Sequence, residues 1–445
     1  MKKSLFMLCV AAATLASCSQ EDVLDMAANH GADNAINFRA RTFKATRGAE
    51  VTSESLNSFM VIGLKGDLDA VREGEGQLSA WWTSPVEFKR STVEGDANGD
   101  MQYFRSDTPM YFPSDFSPVS FLAYAPSTLS NVSASLGQPN AEDNGNLLIE
   151  GYTVNSDINS QEDIIIDGVG GVQRDDTYPS LDLYFKHALS KVFVSKAKND
   201  NSEYTYKVAG VRFGNIAMTG DCKYDPSAGD GSMHSYFTWT YADQKASVEH
   251  KFAKGIEIDG SADLMSGAET DGSFLLIPQT LPSELASEES DQRFLCKEGV
   301  AYIGLLIQIV QKDDNKVVYP FEKGVDNITE TIDGEKYAWA IFPVGTTWLA
   351  GNYVDYQVDF TNGAGFVAPG AEGYDYEGWE DGDEESKTLH FDLQYKPIFG
   401  ESIKFTVEIC GWDKSYTDSN VQQNGDKESL EVILDGGAVE DPFGE

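Results

Sequence analysis

The stretch AINFRARTFKATRG, residues 35–48, alternates with a period of two: Ile36, Phe38, Ala40 and Thr42 on one side, Asn37, Arg39, Arg41 and Phe43 on the other. That sidedness marks a half-buried β-strand. Arg39, Arg41 and Arg47 lie in or just after it, in a chain with 33 Lys and Arg against 72 Asp and Glu. A strand so patterned fills a slot in a sheet, and a run so rich in arginine is easily cut by an arginine-directed protease. Together these properties fit a removable strand. An ordinary first strand with solvated arginines is the plainer alternative.

Outward from this stretch, short apolar runs recur between Gly, Asp and Asn turns. The strongest are LNSFMVIGL (56–64), PVSFLAYAP (118–126), LDLYFKHALSKVFV (181–194), and the runs 300–310, 337–342, 348–360 and 403–412. A polar, glycine-bearing loop is expected up to about residue 77, and only 53–57 and 283–289 keep a helical period. Many short strands with few helices predict an all-β chain of β-sandwiches. The polar run 172–178 suggests a boundary between a first domain at 35–178 and a second at 179–445.

The chain has 445 residues, 41% of them hydrophobic, enough for two or three cores. A formal charge of −39 excludes nucleic acid as a natural partner and predicts weak attraction to anionic lipid. Membrane attachment must come from elsewhere. Lys2 and Lys3 precede an apolar run at 5–16, the length of a secretory signal core and too short to span a bilayer. It ends in Leu15-Ala16-Ser17-Cys18, which resembles the lipobox of bacterial lipoproteins. Residues 1–17 then form a signal peptide, Cys18 is the lipidation site, and 18–34 is a flexible tether carrying the acyl anchor. The acidic pair Glu21-Asp22 just after it resembles a surface-export signal. Cys222, Cys296 and Cys410 are too widely spaced for a disulfide framework or a zinc site and read as buried small hydrophobes.

Catalytic signatures are scarce. There is no P-loop, no Gly-x-Ser-x-Gly and no His-Glu-x-x-His. His187, in an apolar strand, reads as a hydrogen-bonded structural residue. The acidic segments 96–100 and 380–385 lack the spacing of a calcium loop. No cofactor or metal is called for, and abundant carboxylates alone neither support nor exclude a hydrolase. Trp81 and Trp82 are weak candidates for a surface that stacks a sugar or a host protein, although neighbours on a strand face opposite ways and at least one should be core.

The lipobox at Cys18, PVSFLAYAP, LDLYFKHALSKVFV, LLIPQTL (275–281), YAWAIFPVGTTWLAGNYVDYQVDF (337–360) and IKFTVEICGWD (403–413) run in an order that resembles the fimbrillin family of Bacteroidetes surface pili. The resemblance implies two tandem transthyretin-like β-sandwich domains and a non-enzymatic pilus subunit that supports adhesion. It further implies that an arginine-specific protease cuts past the first strand, which leaves and is replaced by a strand from another copy or a related subunit. Arg47 is the best match for that cut, with Arg41 and Arg39 as alternatives.

A candidate donor strand is ESLEVILD, 428–435, with Leu430, Val432 and Leu434 on one face; an edge strand kept in its own domain is the equal alternative. The competing functional reading is a non-polymerising surface lipoprotein or tip adhesin that binds glycan or host protein.

Overall fold

The computed structural model describes residues 35–42, 51–91, 101–136, 145–173, 181–228, 232–241, 244–265, 272–281, 298–372, 374–378, 387–391, 393–398, 403–411 and 430–432. The first ten strands are β1 (Phe38–Thr42), β2 (Ser58–Lys65), β3 (Ser79–Ala80), β4 (Val86–Arg90), β5 (Gln102–Ser106), β6 (Val119–Ala125), β7 (Val132–Ala134), β8 (Leu147–Thr153), β9 (Ile165–Val172) and β10 (Leu181–His187). Next come β11 (Ser190–Asn199), β12 (Tyr204–Ala217), β13 (Thr219–Tyr224), β14 (Phe237–Tyr241), β15 (Lys245–Ile258), β16 (Gly260–Asp263), β17 (Phe274–Leu276), β18 (Gln279–Thr280), β19 (Tyr302–Gln311) and β20 (Val317–Tyr319). The rest are β21 (Thr329–Ile332), β22 (Glu335–Pro343), β23 (Thr347–Trp348), β24 (Asn352–Asp359), β25 (Phe366–Val367), β26 (Tyr374–Gly378), β27 (Lys387–Phe391), β28 (Lys404–Gly411) and β29 (Leu430–Val432). The all-β expectation holds.

The first sheet runs β3-β2-β4-β5-β1-β10-β9-β6, and β6 also pairs with β2. The ring therefore closes: seven strands form a barrel, with β3 paired to the far end of β2. Closure removes the exposed edges that an open sheet presents. Its interior is an aromatic core of Phe38, Phe59, Phe88, Phe104, Phe121, Phe185 and Trp82. In the second half, a sheet ordered β16-β11-β24-β28-β29 faces one ordered β15-β12-β19-β22-β21. Phe213 of β12 meets Tyr356 of β24 with ring centroids 5.9 Å apart, and Phe342 of β22 meets Phe405 of β28 at 5.4 Å. This is a sandwich.

β6 shows how the two units join. All seven of its residues are buried. Phe121 and Ala123 enter the barrel core while Leu122 and Tyr124 enter the core shared with the second half. A strand covered on both faces loses the polar alternation of a half-exposed one. The expected boundary at 178/179 lies outside the described residues, and β10, which follows it, pairs with β1 and β9 of the barrel. β8 pairs with β13 across the same position. The chain passes from barrel to sandwich at Ala188 and Leu189, between β10 and β11, where Trp239 Nε1 donates to the Ala188 carbonyl at 2.9 Å.

One helix interrupts the expected loop after β2. α1 (Leu68–Arg72) is capped by Asp67, whose carboxylate accepts from the Asp69 and Ala70 amides, and it buries Leu68 and Val71. Five residues are too few to display a 3.6 period, so the cap is the legible signal. The helical window at 283–289 lies outside the described residues.

Candidate functional site: the slot held by the first strand

β1 sits in the wall of the barrel, paired on both sides. It runs parallel to β10, with Phe38 opposite Leu181 and Thr42 opposite Phe185, and antiparallel to β5, with Phe38 opposite Phe104. The alternation holds within β1: Phe38, Ala40 and Thr42 are buried, with Arg39 and Arg41 half-buried on the outer face, while ahead of it Ile36 and Asn37 are both buried. Phe38 stands in a box of rings, edge-on to Phe88 at 4.8 Å, Phe121 at 5.4 Å and Phe59 at 6.0 Å. Such edge-to-face packing adds to the simple burial of area. The Ile36 amide donates to the Met110 carbonyl at 2.7 Å, extending the hold beyond the strand.

On the outer face, Arg39 grips Asp182 of β10 through two parallel hydrogen bonds, Nε to Oδ1 at 2.7 Å and Nη2 to Oδ2 at 2.8 Å. The Arg41 guanidinium lies 4.8 Å from the centroid of the Tyr184 ring. On the β5 side, Arg105 covers Tyr103 at 4.8 Å. The arginines of β1 are thus engaged by its neighbours rather than simply solvated.

The end of β1 is clasped where the chain returns to it. The Thr42 amide donates to Ser53 Oγ at 2.9 Å, and Ser53 Oγ donates back to the Thr42 carbonyl at 2.9 Å. Arg90 of β4 donates to the Ser53 carbonyl and, at 2.6 Å, to the Leu56 carbonyl. Burial draws the Arg90 guanidinium below its ordinary pKa, opposed by the charge of Glu54. The Val51 amide donates to Asp163 Oδ2 at 3.1 Å, and His187 Nδ1 stands 2.7 Å from the same oxygen, with both side chains fully buried. His187 is the structural histidine expected of it. The segment carrying Arg47 is bounded by these two anchored ends.

Cys18, Arg47 and Leu434, and the acidic segments 96–100 and 380–385, lie outside the described residues. Leu430 and Val432 belong to β29, paired antiparallel with β28: Val407 faces Leu430 and Phe405 faces Val432. That is the in-place edge strand of the second sheet. Trp82 is 8% exposed and part of the barrel core, its ring so close under Gly63 that a Cβ there would lie 2.5 Å from it. Trp81 is half-buried, 5.4 Å from Trp82 and 6.1 Å from Phe121. Trp82 is thus the core member that alternation requires of the pair, and Trp81 is partly covered.

Sequence reasoning does not single out Asp182, Tyr184 or Ser53. Asp182 and Tyr184 are legible as the outward residues of LDLYFKH, but their pairing with arginines so far back in the chain is not.

A family model described as fimbrillin-like matches residues 70–370, beginning after β1 and ending before β28. A fimbrial protein from Bacteroides vulgatus is 12% identical with a TM-score of 0.41, the match covering 73% of this chain and 94% of that one. A fimbrial assembly protein from Parabacteroides distasonis is 9% identical with a TM-score of 0.34, covering 84% and 95%. The tip fimbrial protein Mfa3 from Porphyromonas gingivalis is 8% identical with a TM-score of 0.26, covering 73% and 94%. No curated protein matches.

Proposed function

The chain belongs to the fimbrillin-like family, and from that premise we propose that it is a non-enzymatic structural subunit of a cell-surface fimbria, joined to its neighbours by exchange of its first strand. It is exported as a lipoprotein lipidated on Cys18, anchored in the outer membrane until an arginine-specific protease cuts it, and then built into a fibre that supports adhesion to a host or bacterial surface. The observation that carries this reading is the place of β1 within a closed ring, between β5 and β10. An interior strand leaves two unpaired walls when it goes, and such walls recruit a replacement.

The cut belongs at Arg47-Gly48. Arg39 is paired with both β5 and β10 and Arg41 with Tyr184 of β10, so a protease would have to unfold β1 to reach them. Release of β1 is uphill even after cutting. Ile36 and Phe38 each hold about 1.5–3 kcal/mol by burial, and each ladder hydrogen bond about 0.5–1.5 kcal/mol. Against a whole-domain stability of about 5–15 kcal/mol, these sums keep a nicked strand seated. An incoming strand that repeats its contacts is needed to displace it, whether from another copy or from a related subunit.

The competing reading, a non-polymerising surface lipoprotein or tip adhesin, rests on Trp81 and Trp82 and on the large acidic loops; burial of Trp82 in the barrel core weakens the first of these supports. N-terminal sequencing of surface fibres tests the proposal. A start at Gly48 is expected; assembled fibres that begin at Cys18, with no cut near Arg47, overturn the processing step.

A further inference from the structure

We propose that the slot vacated by β1 selects its occupant by outer-face charge and one inward aromatic, and that the strand selected comes from a different subunit rather than from the C-terminus of a second copy of this chain. This rests on the strand-exchange reading above and names its partner.

The slot's chemistry is fixed by what β1 leaves behind. Outside, the Asp182 carboxylate loses the guanidinium that held it and the Tyr184 ring loses the cation over its face. Register sets these two sites two residues apart on the occupant, at the places of Arg39 and Arg41. Inside, the box of Phe59, Phe88 and Phe121 loses the ring that fills it, followed by the places of Ala40 and Thr42. The fitting strand therefore alternates an inward aromatic, an outward cation, a small inward residue and a second outward cation.

This chain's own C-terminal candidate offers the opposite. With Leu430, Val432 and Leu434 turned inward, period two turns Ser429, Glu431, Ile433 and Asp435 outward. Any two successive residues of that outward row include one carboxylate and no cation, in whichever direction the strand runs. Set beside Asp182, the carboxylate meets a like charge, which destabilises a sheet; set over Tyr184, it meets the negative face of the ring. A slip of one residue drives Glu431 and Asp435 into the aromatic interior instead, which is costlier still. No aromatic is available for the box, so a void remains where Phe38 stood. The segment also has a place of its own beside β28. The first strand of a sister copy would fit, but the processing that opens each slot removes it from each chain. What remains is a strand of another subunit bearing two outward Lys or Arg residues and an inward aromatic.

The test uses the full chain cut with an arginine-specific protease, offered fluorescent peptides and read by anisotropy. A peptide of residues 35–43 is expected to exchange in at least tenfold more tightly than one of residues 428–435. Arg39→Glu with Arg41→Glu in the first peptide should lose at least tenfold, Glu431→Lys with Ile433→Lys in the second should gain, and salt should narrow both differences. Equal binding of 428–435 and 35–43, or indifference to these charge changes, overturns the selection while leaving strand exchange standing. If no peptide enters the cut chain, 35–43 included, the strand-exchange reading itself fails and the selection falls with it.

Discussion

β1 and β29, the first and last described strands, are both short, yet one is held on two sides within a closed barrel and the other on one side at the margin of an open sheet. The difference teaches what each can do on leaving. Loss of β29 lengthens an edge that already exists, because β28 merely becomes the last strand. Loss of β1 breaks a ring and bares two walls around an aromatic core. Only the loss of β1 creates a shaped vacancy that another chain can fill with both ladders and side chains.

The sharpest way to break this contrast is to compare damage at the two places. Phe38→Ala is expected to cost about 3–5 kcal/mol, because the ring box cannot collapse around the void, and urea unfolding measures it. Truncation before Leu430 should shift the same midpoint far less, and an equal shift would erase the distinction between interior and edge. Arg90→Ala comes next, at about 1.5–3 kcal/mol for losing charged hydrogen bonds to the Ser53 and Leu56 carbonyls. It should also speed cutting at Arg47, read as a time course on a gel; an unchanged rate would mean that the clasp does not restrain the return of the chain to β1. Ser53→Ala removes a reciprocal pair of bonds to Thr42 and should cost about 0.5–1.5 kcal/mol. Arg39→Gln is the mildest: its pair with Asp182 is about one-third exposed, so about 0–1 kcal/mol is expected. That loss should vanish at high salt in the same melting experiment, whereas salt should leave the Phe38→Ala loss in place.

The inward and outward faces of β1 were legible because a period of two needs only local sequence. Its partners were not, since Arg39 and Asp182 meet across most of the barrel's length of chain and nothing in either segment names the other. Closure depends on β2 pairing with β6, another non-local choice. PVSFLAYAP was recognisable as a strand, but its burial on both faces follows from the barrel resting on the second half. β8, β13 and β15 escaped notice for a different reason. β15, KASVEHKFAKGIEI, lies at the margin of its sheet and is mostly polar or exposed, so apolar runs do not mark it. β19 and β22, central in the same sheet, announced themselves by long buried runs. The Trp81-Trp82 pair was half legible: alternation required one core residue, and packing under Gly63 decided which.

The two-residue join at Ala188 and Leu189 has a mechanical consequence. It splices one wall of the slot, β10, to β11, which runs through the second sheet beside β24. Under the strand exchange proposed above, tension on a fibre would pass along that continuous path and pull the seated strand lengthwise against β5 and β10. Every rung of both ladders would then resist at once, as in a shear joint, instead of parting one after another like a zip.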